Sequence, residues 1–202
     1  MKAPTQKTHI FHGADLSLSD LYKHIDDGYR HFYCDGFIDE RLDRKSFDFL
    51  FCLAPELYYK LPIVEVINYF LHKALGITLS GMSLTALHEA MSNSLLWGLL
   101  KVERTDDFFE FSKCVEKKLK LAQKAHKTFS LGITCKDGVK FHIINPHDEA
   151  FTLEIFSQKK SPYLRGSTII AEFADVDYDT QKKMLTLTFN EHSNVYQATA
   201  HS

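Results

Sequence analysis

The 202-residue sequence has little of what breaks or staples a chain: 9 Gly, 5 Pro and 4 Cys. Such values exclude collagen-like and low-complexity classes. The cysteines, Cys34, Cys52, Cys114 and Cys135, are scattered and form no Cys-x-x-Cys pair. A chain this long needs no disulfide framework, so reduced thiols are expected. Neither sign of charge dominates, because 24 Lys and Arg face 26 Asp and Glu for a net −2. Long apolar runs are missing too. The most apolar stretch, Ala74 to Leu100, carries one formal charge at Glu89 but also His88, Asn93 and several Ser and Thr. A membrane helix needs about 20 predominantly apolar residues in a row, so a buried helix is the better reading. Residues Met1 to His9 contain no apolar run of the secretory type. The expected location is the cytoplasm, with no membrane partner.

What the chain does have is 16 Phe, 9 Tyr and 11 His, with hydrophobic residues at 45%. That is enough for a sizeable core. The apolar spacing changes near residue 128, from every third or fourth position to every second. The spacing therefore predicts an α+β fold: an N-terminal layer of about five helices on a C-terminal antiparallel meander. One domain over 1–202 is expected, mainly helical over 1–127 and sheet over 128–202.

Local signals refine this expectation. Ser17 and Asp20 open a helix over 18–27 that Gly28 can close, and Tyr29 to Cys34 reads as a strand before an Asp35-Gly36 turn. A weaker helix is read over 46–53, and Pro62 opens a firmer one to Leu75, closed by Gly76. Ser83 is read as the cap of a helix to about Leu100, along which Ala86, Ala90, Ser94 and Gly98 step by four. This small-residue stripe suits close internal packing, with a homo-oligomer contact as the other reading. Thr105 is read as the cap of a long helix whose Phe108, Phe111, Val115, Leu119 and Ala122 face inward. Strands follow at 129–135 and 139–143, joined through Asp137-Gly138. Further strands are read at Phe151–Ile155, at Ile169, Ala171 and Phe173, at Leu185–Phe189, and near Val195–Ala200.

Motifs with catalytic or metal chemistry are incomplete. Gly76 to Ser83 has P-loop spacing, but Met82 stands where the phosphate-binding lysine belongs. Asp175-Val-Asp177-Tyr-Asp179 begins like a calcium loop, yet Thr180 replaces the turn glycine and Thr186 the closing carboxylate. His88-Glu89 lacks the second histidine of a zinc helix, and His126-Lys-Thr128 is a single copy of a motif that acts in pairs. His142 shares an alternation phase with Glu154 and Glu172, an arrangement that cross-strand pairing could turn into an acid–base cluster. His31 and Cys34 fall on opposite faces of a strand, so they do not make a thiol–imidazole pair; a remote base such as His88 is the alternative. No catalytic residue, metal ligand or cofactor is assigned.

The most specific surface signal is a lysine stripe. Lys113, Lys117, Lys120, Lys124 and Lys127 advance by 4, 3, 4 and 3 residues, which puts them on one face of a helix. Such a stripe is either a solvated face that complements the helix dipole or a docking surface for phosphate or an acidic protein. Acidic residues gather in 15–56, where they outnumber the basic ones. The leading expectation is a non-enzymatic cytoplasmic protein that binds another protein, as a regulator, adaptor, inhibitor or immunity-type partner. The alternatives are a nucleic-acid or phosphate-ligand binder using the stripe, and a hydrolase or transferase whose His, Asp and Cys assemble only in the fold.

Overall fold

The computed structural model describes residues 7–11, 16–34, 43–103, 105–136, 138–144, 165–189 and 195–197. Expectations for Asp35-Gly36, for the Phe151–Ile155 strand with Glu154, and for Asp137 lie outside these residues.

Strand β1 (Lys7–Phe11), helix α1 (Leu18–Asp26) and strand β2 (Tyr29–Cys34) form a crossover unit, because β1 and β2 run parallel. Parallel neighbours cannot be joined by a tight turn, and here the helix makes the connection. The Ser17 side chain accepts from the Asp20 amide, Leu21 and Ile25 bury the apolar stripe, and Gly28 follows at φ +85°. Strand β3 (Phe49–Leu53) then pairs parallel with β2 and antiparallel with β5 (Phe129–Thr134). It stands where a weak helix over 46–53 was expected; only a 3-10 turn, Arg44–Ser46, precedes it. Five successive apolar residues suit a strand buried on both faces, and a run this short carries no period that separates it from a helix.

A short helix α2 (Pro55–Tyr58) leads to α3 (Ile63–Leu75), which Gly76 ends in the left-handed region at φ +67°. Strand β4 (Ile77–Leu79) connects α3 to α4 (Gly81–Asn93), which continues as a π-helical turn over Ser94–Leu99. The cap of α4 is Ser80, whose hydroxyl accepts from the Ser83 amide at 3.1 Å; Ser83 itself is fully buried one turn inside. Helix α5 (Phe108–Lys124) follows, then β5, the hairpin to β6 (Lys140–Ile144), α6 (Arg165–Phe173), β7 (Ala174–Asp179), β8 (Met184–Phe189) and β9 (Val195–Gln197).

Among the described residues, seven strands make one mixed sheet in the order β1-β2-β3-β5-β6-β8-β7, and β4 pairs with β9 in a separate two-stranded one. The expected helical layer over a C-terminal antiparallel meander is therefore overturned. Three strands from the N-terminal half supply the parallel side of the sheet, and a helix interrupts the C-terminal half. That helix, α6, replaces the strand read at Ile169, Ala171 and Phe173. Alternation there required Ala171 to be buried, but Ala171 is exposed and Ile170 is the buried side chain.

The two sheet faces differ. On one, Phe32, Phe49, Phe51, Leu131, Ile133, Phe141, Ile143 and Leu187 join buried residues from α1 to α6 in the main core. Phe49 stacks on Phe70 of α3 at 4.3 Å between centroids. The small-residue stripe of α4 belongs to this side: Ala86, Ala90, Ser94 and Gly98 are all buried within the chain, where α4 packs against α6. It is therefore an internal seam, and a homo-oligomer contact through it has no exposed surface to use.

On the other face a smaller cluster holds Tyr33, Phe47, Leu50, Cys52 and Ile144. The Phe47 ring lies on Gly132 of β5, so close that a Cβ at residue 132 would overlap the ring atoms. Replacing Gly132→Ala should displace Phe47 and lower stability by about 1–3 kcal/mol, the usual range for overpacking. Urea unfolding should show the loss, and the same glycine replacement made in a Phe47→Ala background should cost little, because the ring it would strike is gone; an equal cost in both backgrounds would rule out this packing.

Candidate functional site

Helix α5 starts where its cap can be made. Asp107 Oδ1 accepts from the amides of Phe109 and Glu110 at 2.7 and 3.0 Å, and Thr105 Oγ1 accepts from the Asp107 amide at 3.2 Å. Asp107 is thus the cap, and Thr105, expected in that role, supports it from two residues away. This start leaves the first turn overhanging. Phe108, expected in the core, is 75% exposed, as is Phe109. Farther along, Phe111, Val115 and Leu119 are half-buried and only Ala122 is fully buried. Phe111 meets Trp97 of the π-helical turn at 6.1 Å, and α2 packs against the helix. Leu121 adds a further exposed apolar side chain.

Lys113, Lys117, Lys120 and Lys124 are exposed on α5. At 100° per residue they share a sector with Phe109, which precedes Lys113 by one turn. Lys120 Nζ meets Glu116 Oε1 at 2.6 Å, and this partner holds the Glu116 carboxyl below its ordinary range. Both side chains are more than half exposed, so the pair contributes little to stability. Lys127 departs from the stripe. It follows the helix end, is half-buried, and donates from Nζ to the Leu99 carbonyl at 3.2 Å. The surface thus consists of four outward lysines and two exposed phenylalanines. The aromatic part was missed in the sequence because helical periodicity assigned Phe108 inward without regard to where the helix begins.

Part of the acidic region serves local structure. Asp26 accepts from the Tyr69 hydroxyl at 2.9 Å and lies 3.8 Å from Lys73 Nζ, while Asp48 accepts from the Cys135 amide at 2.7 Å. Asp43 accepts from the Lys45 amide at the 3-10 turn.

The remaining sequence motifs resolve into local roles. Gly76 to Ser83 is a helix–strand–helix connection. Asp175, Asp177 and Asp179 lie along β7, and Asp179 Oδ1 caps the turn to β8 by accepting from the Gln181 and Lys182 amides. His126 sits in the left-handed region at φ +49° just past α5, and Thr128 is buried. Cys34 lies in the main core, while His31 is buried on the opposite face with Nε2 3.2 Å from the Phe47 carbonyl, as strand alternation requires. His88 stands beside Tyr58 and Ser92 rather than Cys34.

His142 is buried between two threonines, with Nε2 2.9 Å from Thr134 Oγ1 and Nδ1 3.0 Å from Thr186 Oγ1. The Phe47 ring lies 5.6 Å away. The expected carboxylate Glu172 is exposed on α6 and takes no part. Burial, aided by the charges of Lys140 and Lys182, pulls the imidazole down to about 4. The histidine therefore stays neutral and bridges β5 and β8 across β6. Among the described residues no group of three His, Cys, Asp or Glu side chains converges as metal ligands would. Comparison with protein-family models, curated proteins and solved structures finds no match.

The depressed His142 makes stability pH-dependent with a definite sign. The unfolded chain binds a proton near 6.5 that the folded chain refuses until about 4. The stabilisation is thus fully present above pH 6.5 and is lost as pH falls towards 4, by an amount on the order of 3 kcal/mol. His31 and His9, also pulled down by burial, add in the same direction. Denaturant titrations across that range should show the decline, and His142→Gln should flatten it; an unchanged slope in the variant would rule out this assignment.

Proposed function

We propose that the protein acts by binding an acidic protein partner through the outward side of α5. On this reading it is a regulator, adaptor, inhibitor or immunity-type partner in the cytoplasm rather than an enzyme. The observation that carries the reading is the pair Phe108 and Phe109, each 75% exposed, at the start of a helix bearing exposed Lys113, Lys117, Lys120 and Lys124. Burying a phenylalanine is worth about 1.5–3 kcal/mol, so two at one helix end are sufficient anchors for an interface. The lysines would add attraction and selectivity for an acidic surface, mainly through the association rate. A nucleic-acid or phosphate ligand is the second reading, favoured by the same four lysines. The aromatic pair, the net charge of −2 and the acids Asp106, Glu110 and Glu116 on or beside the helix weigh towards a protein.

Affinity capture from the native host with the intact chain tests this. An acidic protein should be recovered stoichiometrically, unaffected by nuclease and released by salt. Phe108→Ser with Phe109→Ser, and separately Lys113→Glu with Lys117→Glu and Lys124→Glu, should each weaken binding by at least about tenfold, or 1.4 kcal/mol. Retention of the partner by both variants, its loss on nuclease treatment, or recovery of no partner would each overturn the proposal.

A further inference from the structure

A second feature of the fold lies between the end of α2, the start of α3 and α4. Tyr58 at the end of α2, the link Leu61–Pro62, the first turn of α3 at Ile63, Val64 and Glu65, and His88 of α4 line a half-open cavity of about 250 Å³. Its walls are mostly apolar, and its volume falls just below the range of drug-sized sites. That limits an occupant to a small molecule.

The polar groups around it are few and organised. The Tyr58 hydroxyl lies 2.9 Å from Ser92 Oγ and 3.3 Å from His88 Nδ1, and the two rings are nearly parallel at 16°. With Nδ1 engaged by the phenol, Nε2 is the imidazole's other polar atom. Burial and the Glu89 carboxylate help push the Tyr58 hydroxyl up to about 12, although its bond to Ser92 opposes them. The phenol therefore stays neutral and keeps its proton for hydrogen bonding. The formal charge in the lining is the carboxylate of Glu65, the exposed residue of the first turn of α3, and Glu89 adds a second negative field beside Tyr58. Lys60, which precedes the link, is exposed and does not line the cavity.

Apolar walls, two aromatic rings and the Glu65 carboxylate select one ligand class. We propose that this cavity binds a small organic cation, an ammonium group carried on an apolar body. The body would fill the space between Leu61, Pro62, Ile63 and Val64. The ammonium would sit at Glu65, beside the Tyr58 ring that forms part of the same lining. An anionic ligand of the same shape would be repelled by Glu65 and Glu89. This site is independent of the α5 surface and uses none of its residues.

The test uses the intact protein and three probes of similar shape: phenethylamine, 2-phenylethanol and 3-phenylpropionate. Titrations followed by NMR should show saturable shifts at His88 and at the Val64 methyls with the amine. The amine should bind at least about fivefold more tightly than the alcohol or the acid, the advantage expected of one cation–π contact and one exposed ion pair. Glu65→Gln should weaken the amine about threefold to fivefold and leave the alcohol unchanged. Val64→Phe, which narrows the cavity, should abolish saturable binding. Equal affinity for amine and acid, shifts scattered away from the lining, or no saturation with the amine would overturn the proposal.

Discussion

The structure depends on a strand that has no solvent side. All five residues of β3, Phe49 to Leu53, are buried, and its neighbours run parallel on one edge and antiparallel on the other. A sheet can leave one face wet when its strands alternate polar and apolar residues, but β3 does not alternate. Phe49, Phe51 and Leu53 need cover on one side, while Leu50 and Cys52 need it on the other. The helices supply the first cover through Ile67, Phe70 and Leu71. Phe47, held over Gly132 beside Tyr33 and Ile144, supplies part of the second. The absence of a side chain at residue 132 therefore affects the fold as much as the presence of aromatic residues elsewhere.

The second face also explains the polar side chains buried there. Cross-strand register places Tyr33, Cys52, Ser130 and Ile144 in one row and His31, Leu50, Gly132, His142 and Thr186 in the next. Buried polar groups are tolerated when paired. Ser130 donates to Cys52 Sγ at 3.2 Å, and His142 joins Thr134 to Thr186. Among the described residues the buried Tyr33 hydroxyl has no hydrogen-bond partner, and its burial, with Cys52 beside it, pushes its ionisation up to about 12. These rows thus carry side-chain hydrogen bonds between strands, while Phe49, Phe51, Leu131 and Phe141 on the opposite face pack into the main core.

Elements with both a period and a stop signal were legible in the sequence. Helix α1 has Ser17 at its start and Gly28 beyond its end, α3 lies between Pro62 and Gly76, and β5, β6 and β8 alternate cleanly. Elements without such signals were not. β3 is too short and too uniformly apolar to show a period, and β1 begins and ends in polar sequence. Ile169, Ile170 and Phe173 satisfy helical spacing while Ile169, Ala171 and Phe173 satisfy strand spacing, so only burial distinguishes the two at α6. Parallel pairing was hidden for a different reason: strand order is a long-range property that no local pattern states. At α5 the lysine spacing was readable, but the exposed aromatics depended on how far the helix reaches past the body.

That overhang has a consequence for how the molecule opens. A helix with one fully buried residue in 17, and with Phe111, Cys114, Val115 and Leu119 only partly covered, gains less from tertiary contact than a core helix, and an isolated helix of that length is marginal in water. Its amides are therefore expected to exchange with solvent through local fraying, well below the free energy that protects β3 and β5. The Asp107 cap and the contacts of Phe111 and Ala122 set how far fraying runs. The surface that presents Phe108 and Phe109 thus belongs to the part of the fold that reorders most cheaply, so ordering this end contributes to any binding energy measured there.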